Sequence, residues 1–247
     1  MLTDGEQERY ERQLLLREIG EEGQKKLKGA SVFVAGAGGL GCSAVLYLAA
    51  AGVGRMRLVD HDRVEPGNLN RQVLHWDEDI GRTKAASATA KLKRFNNRMD
   101  IEPVENILTT DNVSQLVAGF DVIVDALDNL PARYVLNRAA LEQNIPLFHG
   151  AVYGFEGRAT TIIPGETACL RCVCRDTIPG ETFPVIGVTP AVIGCIQATE
   201  VIKYIAGCGR LLTNRLLIYD GLNMSFAEYR IKKDPHCDHC GDAKANG

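Results

Sequence analysis

Apolar residues along this chain come in two alternating patterns. Short apolar runs, most of them rich in β-branched residues, occur at 31–35, 56–60 and 121–125 and have the character of buried strands. Longer stretches with helical spacing lie between them, at 40–51, at 80–97, which is rich in Ala and Lys, and at 131–144, which opens on Pro131, a residue suited to a first helical turn. A further short strand is expected at 146–149. Strand and helix in alternation make a parallel sheet wrapped by helices. Residues 1–150 are therefore expected to form a Rossmann-like, doubly wound nucleotide-binding half with an N-terminal helical arm.

Past Gly150 the pattern changes. Residues 157–163, 215–220 and 225–232 read as strands and 191–206 as an apolar helix, with a Pro- and Gly-rich stretch at 177–190 ahead of it. This half, 151–247, is expected to be mixed or antiparallel, to bind the substrate, and to complete one compact α/β domain.

Composition narrows the classes of function. Of 247 residues, 45% are hydrophobic and 24% charged, the balance of a globular protein with a large core. The 28 basic and 31 acidic residues leave a net charge of −3, and no basic run is long enough to follow a phosphate backbone. Nucleic acid is not an expected partner. No apolar segment has the length of a membrane span, and residues 1–10 are polar and acidic, unlike a signal peptide, so a cytoplasmic location and no membrane partner are expected. In that reducing setting the eight cysteines point to metal binding or catalysis, not to disulfides.

Between the first strand and its helix lies Gly36-Ala37-Gly38-Gly39-Leu40-Gly41. Glycines there permit a tight turn and let backbone N–H groups approach a phosphate at the helix N-terminus, while Asp60, closing the next strand, suits ribose hydroxyls. The alternative is that these glycines serve only close helix–strand packing. The loop by itself fits a dinucleotide oxidoreductase as well as it fits ATP chemistry. Arg71, Lys84 and Asp128 shift the balance, because two cations and a carboxylate suit a triphosphate with magnesium, whereas hydride transfer needs little charge. Taken singly, Arg71 or Lys84 reads as a surface charge and Asp128 as a helix N-cap before Pro131; the set carries the inference.

Cys169-Leu170-Arg171-Cys172 and Cys237-Asp238-His239-Cys240 form two C-x-x-C pairs far apart in the chain, the pattern of one structural zinc held by four thiolates. His236 and His239 flank the second pair as substitute ligands. Cys42 and Cys195 read as small buried hydrophobes.

Together with Arg9-Tyr10-Glu11-Arg12-Gln13, Asp60-His61-Asp62, Asn68-Leu69-Asn70-Arg71-Gln72 and Asp128-Asn129, these motifs resemble the ubiquitin-activating-enzyme-like superfamily over nearly the whole chain. The resemblance is to its ThiF/MoeB/HesA branch, which includes the molybdopterin-synthase and thiamine sulfur-carrier adenylyltransferases. It implies a nucleotide site made by Gly36, Gly38, Gly39, Gly41, Asp60, Asp62, Asn68, Arg71, Gln72, Lys84, Asp128 and Asn129, with Asp128 holding Mg2+. It also implies a homodimer in which Arg12 reaches into the partner subunit's site; without the resemblance Arg12 is an ordinary helix-surface charge. The four cysteines would bind Zn2+.

The implied reaction is attack by the C-terminal glycine carboxylate of a small ubiquitin-like carrier, ending in Gly-Gly, on the α-phosphorus of ATP. Asp128, Arg71, Lys84 and Arg12 would carry the catalysis by positioning and charge neutralisation. Several members of that family carry a reactive cysteine in the crossing loop before the apolar helix, but residues 175–190 contain none. The adenylate is therefore expected to pass directly to a sulfur donor, a desulfurase or rhodanese, with Cys174 as the nearest substitute thiol. Adenylation of a peptide or small carboxylic acid is the alternative, followed by a nucleotide-binding oxidoreductase and a non-catalytic zinc-stapled scaffold.

Overall fold

The computed structural model describes residues 1–174 and 184–241. Two helices lead the chain, α1 (Asp4–Leu14) and α2 (Gly20–Gly29). Thr3 starts α1 with a capping box: its hydroxyl accepts from the Glu6 N–H at 3.3 Å, and Glu6 accepts from the Thr3 N–H at 2.7 Å. There follow β1 (Ser31–Ala35), α3 (Gly39–Ala51), β2 (Arg55–Val59), α4 (Lys84–Phe95), β3 (Asp100–Val104), α5 (Val113–Val117), β4 (Val122–Asp125) and α6 (Leu130–Glu142). The second half adds β5 (Leu147–Tyr153), β6 (Glu156–Ile162), α7 (Leu170–Val173), α8 (Val188–Ala206), β7 (Arg215–Asp220) and β8 (Ser225–Arg230).

All eight strands make one sheet in the order β3-β2-β1-β4-β5-β6-β7-β8. The strands from β3 to β5 pair in parallel and those from β5 to β8 antiparallel. The change of sense occurs at a hairpin whose last pair is Tyr153 with Glu156, and Gly154 supplies the left-handed backbone (φ 58°) that such a short turn needs. Both expected characters, the doubly wound parallel sheet and its antiparallel continuation, are present in a single sheet.

Alternation along β1 distributes the core. Val32 and Val34 face one layer with Val45 and Leu48 of α3, Leu92 of α4 and Val201 of α8, while Phe33 and Ala35 face the other with Val117 of α5 and Leu136 of α6. Each fully buried Leu or Ile contributes on the order of 2 kcal/mol through the hydrophobic effect. Helix α8 crosses α3 closely enough that a Cβ on Gly194 would come within 2.5 Å of the Leu40 carbonyl oxygen. That contact brings the start of α8 to the glycine loop.

Three of the expected boundaries move the most. Helix α4 begins at Lys84, not residue 80, because Gly81 sits in the left-handed region (φ 85°) and breaks the turn. Helix α8 begins at Val188, before Pro190 rather than after it, since the first turn needs no N–H from that position. Strand β5 runs on to Tyr153.

Candidate nucleotide site and cysteine cluster

The sheet order reverses between β1 and β4, and the chain leaving each of these strands turns to opposite sides, which opens a crevice at their C-terminal ends. The glycine loop fills one side of it. Gly36 is left-handed (φ 101°), and a Cβ there would lie 2.5 Å from the Ala126 carbonyl oxygen, so loop and β4 turn touch through backbone alone. Helix α3 starts from Gly38 with no side-chain cap, leaving its first N–H groups directed into the crevice.

Both polar groups of Ala37 are fixed. Its N–H donates to Asp60 Oδ2 at 2.7 Å, and its carbonyl accepts from His75 Nε2 at 2.9 Å. That bond fixes the His75 tautomer, so Nδ1 accepts from the Ser87 hydroxyl at 2.9 Å. Burial pushes the His75 pKa down, which keeps the ring neutral, as this pattern requires. Asp60 Oδ1 also accepts from the Asp62 N–H at 2.8 Å. The expected ribose ligand thus shapes the loop as well, with a lone pair remaining on each oxygen.

Lys84 is the first residue of α4, 7% exposed, and its Nζ donates to Asp62 Oδ2 at 2.8 Å. Arg71 is half-buried; its Nη1 donates to the carbonyl of Gly67 at 2.8 Å and to Asn70 Oδ1 at 2.9 Å, leaving Nε and Nη2 without partners among the described residues. Asn68 closes its own turn, its Oδ1 accepting from the Glu65 N–H at 3.0 Å. Gln72 is 4% exposed beside Gly38, and its Oε1 has no hydrogen-bond partner among the described residues. A buried amide with spare bonding capacity fits a polar ligand at the loop.

Asp128 is exposed and does not cap α6. Asn129 does, its Oδ1 accepting from the Ala132 N–H at 2.9 Å, and among the described residues the Asp128 carboxylate accepts only from the Asn129 amide, at 3.3 Å. An exposed carboxylate spared from capping, on a turn whose Ala126–Leu127 backbone touches the glycine loop, suits a hard cation. Arg12 stands apart. Its neighbour Gln13 bonds to the Ala51 carbonyl at the far end of α3, so Arg12 lies about 18 Å along that helix from the loop of its own chain.

Across from the loop, Gly187 packs on Asn70 and Pro190 on Gly39, so the described end of the crossing stretch lies against the site. Residues 175–183 of that stretch lie outside the described residues. Burial pushes the Cys174 thiol up, and it pushes Cys42 up to about 12. Neither thiol is activated as a nucleophile.

The four cysteines of the paired motifs come together, with Sγ separations of 4.0 Å (Cys169–Cys172), 3.7 Å (Cys169–Cys237) and 3.5 Å (Cys172–Cys240). A tetrahedron of thiolates at ordinary zinc–sulfur lengths has edges of about 3.8 Å, so the donor set fits that ion. The Sγ of Cys172 accepts from the Asp234 N–H at 3.4 Å and that of Cys237 from the His239 N–H at 3.5 Å, contacts that favour thiolate. His239 Nδ1 is instead taken by Asn137 at 2.8 Å, which in turn accepts from the Leu170 N–H.

Sequence reading passed over one group. Asp125, fully buried at the end of β4, accepts from His149 Nδ1 at 2.6 Å across the β4–β5 pairing, with Arg133 Nε 3.8 Å away. Burial would raise the Asp125 pKa, but Arg133 and His149 outweigh it and hold it below the usual range. Burial also pushes His149 down, against the pull of Asp125. A carboxylate within the Asp125–Asn129 segment and a histidine closing the neighbouring strand were the available signals.

The family model described as ThiF family matches residues 10–239. The chain is 46% identical over 241 residues to the SAMP-activating enzyme E1 of Haloferax volcanii, covering 95% of this chain and 89% of that protein. It is 42% identical over 251 residues to the sulfur carrier protein adenylyltransferase of Thermus thermophilus, covering 97% and 93%. Among solved structures, E. coli MccB crystallised with AMPCPP and selenomethionine MccA matches with a TM-score of 0.85 at 25% identity, over 94% of this chain and 74% of that one.

Proposed function

The chain belongs to the ThiF family, and from that premise we propose that it adenylates the C-terminal glycine carboxylate of a small ubiquitin-like sulfur carrier, releasing pyrophosphate, in the cytoplasm. What supports this reading is that the segments carrying these residues lie against the glycine loop: Asp60 accepts from Ala37 and is joined through the Asp62 N–H to the Lys84–Asp62 pair, Gln72 and Arg71 stand beside Gly38 and Gly39, and the Ala126–Leu127 backbone just before Asp128 meets Gly36. No helix among the described residues is long and apolar enough to cross a membrane.

In this reading the N–H groups at the start of α3 receive the phosphates, with Arg71 and Lys84 as the cations around them and Asp60 on the ribose. Asp128, beside Asn129, would hold magnesium, whose charge when bound offsets that of the triphosphate and the departing pyrophosphate. The carrier carboxylate is already ionised at neutral pH, so no general base is required. Its oxygen forms a bond to the α-phosphorus as the bond to pyrophosphate breaks. The adenylate then goes to a sulfur donor such as a desulfurase or rhodanese. The four cysteines hold a structural zinc that fastens the tail after β8 to α7.

A homodimer completes the site in this proposal. Arg12 is too far from its own crevice to act there, and the exposed Leu15, Leu16 and Tyr47 offer apolar surface near it for a partner. Mixing Arg12→Ala with Lys84→Ala protein should restore part of the activity, because one crevice in each mixed dimer is intact. No recovery, with subunit exchange verified, contradicts a shared site.

A second reading keeps the chemistry and takes a peptide C-terminus or small carboxylic acid. It is favoured by the absence of cysteine from residues 175–190 and by the raised Cys174 thiol, since such substrates need no thioester step. Mass spectrometry of the AMP adduct formed from mixed candidates decides: an adduct on the Gly-Gly carrier supports the first reading, and one on peptide or small acid alone overturns it.

A further inference from the structure

The buried group Asp125, Arg133 and His149 takes no part in the reaction just described, yet it surrounds the turn that carries Asp128. The turn is held from this group, from β1 and from α8. Ala126 is held by its N–H on the Ala35 carbonyl at 2.9 Å. The Leu127 N–H donates to Asp125 Oδ1 at 3.2 Å, and the Leu127 carbonyl accepts from both Nε (3.1 Å) and Nη2 of Arg133. Arg133 Nη2 reaches further to the Gly150 carbonyl at 3.0 Å, tying the turn to β5. Gln197 of α8 closes the set from the other layer, donating to the carbonyls of Asp125 (2.7 Å) and Phe148 (2.9 Å).

Arg133 is one turn into α6, and its side chain is 11% exposed. A guanidinium buried at that cost, beside a fully buried carboxylate, is a large commitment for a turn that Asn129 already caps. The bonds it makes serve position: they hold the carbonyl of Leu127, the residue immediately before Asp128, while Asp125 beside it holds the Leu127 N–H. We infer that Arg133 is a positioning residue, oriented by Asp125 and His149, that sets the Asp128 carboxylate for its metal. The inference rests on the magnesium reading of Asp128. His149 acts one step further out, holding Asp125 through Nδ1.

The test measures metal binding by the intact dimer. Free Mn2+ is followed by electron paramagnetic resonance in the presence of AMPCPP for wild type, Asp128→Ala, Arg133→Ala, His149→Ala and His149→Asn, with melting temperature and zinc content recorded for each. The expected result is loss of the protein-dependent Mn2+ site in Asp128→Ala and about tenfold weaker binding in folded Arg133→Ala. His149→Ala should show a smaller loss in the same direction. His149→Asn, which keeps a donor facing Asp125, should bind within about twofold of wild type. If Arg133→Ala does not fold, the two His149 variants decide by the same criterion. Wild-type Mn2+ affinity in Arg133→Ala and His149→Ala, with the site lost in Asp128→Ala, overturns the positioning role alone. Wild-type affinity in Asp128→Ala overturns the metal assignment and this inference with it.

Discussion

Two glycines of one loop should respond to the same substitution in opposite ways, and this separates packing from ligand binding. A Cβ on Gly41 would lie 2.8 Å from the carbonyl carbon of Gly36 and closer still to its oxygen. The atoms met are backbone, so the loop or the helix must shift. Overpacking of this kind costs about 1–3 kcal/mol, against which alanine returns about 1 kcal/mol of helix propensity. Since rigid backbone puts the penalty at the upper end, Gly41→Ala should be about 2 kcal/mol less stable and melt about 4–8 °C lower. A Cβ on Gly38 meets only Gln72 Nε2 at 3.8 Å, an ordinary contact, and the backbone there has φ −78°. Gly38→Ala should keep its stability within about 1 kcal/mol. In the proposed site, however, its methyl group would stand on the face the phosphates approach, so ATP should bind at least tenfold more weakly, about 1.4 kcal/mol. Thermal unfolding and calorimetric titration with ATP read the two effects independently. If Gly38→Ala binds ATP as wild type does, the open face of the loop is not a phosphate cradle and the nucleotide site has been misplaced.

Metal analysis should find one zinc per chain, and Cys240→Ser or chelation should lower the melting temperature because the tail after β8 is held by that cluster; equal melting of metal-free and metal-loaded protein contradicts the staple. Glu6 offers a pH-dependent test. Lys28, the Thr3 N–H and the Thr3 hydroxyl hold its carboxyl at about 2, below the usual 4.5. A depressed acid adds stability above its unfolded value, and that stability fades as pH falls from about 4.5 towards 2. Glu6→Gln keeps an acceptor for the Thr3 N–H but loses the ion pair, so it should melt a few degrees lower at pH 7 and approach wild type near pH 2; a gap that widens with acid refutes the assignment.

Contiguous chemistry was legible in the sequence. The strand, glycine loop, helix and Asp60 follow one another, and each residue type has a local reason to stand where it does. The two C-x-x-C pairs announced through spacing alone that their four thiols would come together. Strand β3 was not expected, because its Glu102 and Pro103 break any apolar pattern; as an edge strand beside β2 it needs neither burial on both faces nor every N–H. The bonds that shape the crevice were equally hidden. His75 to Ala37, Asp125 to His149 and Gln197 to Phe148 join residues remote in sequence, and no periodicity in the chain records which strand ends will lie side by side. Arg133 illustrates the limit most clearly: at helical spacing it reads as a solvent-facing charge, and only the folded sheet turns it inward.

The central claim, that this crevice activates a carrier carboxylate with ATP, is tested most directly by isotope exchange between pyrophosphate and ATP. With magnesium and a purified ubiquitin-like protein ending in Gly-Gly, exchange should be rapid and should vanish when that carrier lacks its last glycine. Exchange of equal rate without any carrier, or none with any carboxylate offered to folded, zinc-loaded protein, contradicts the account.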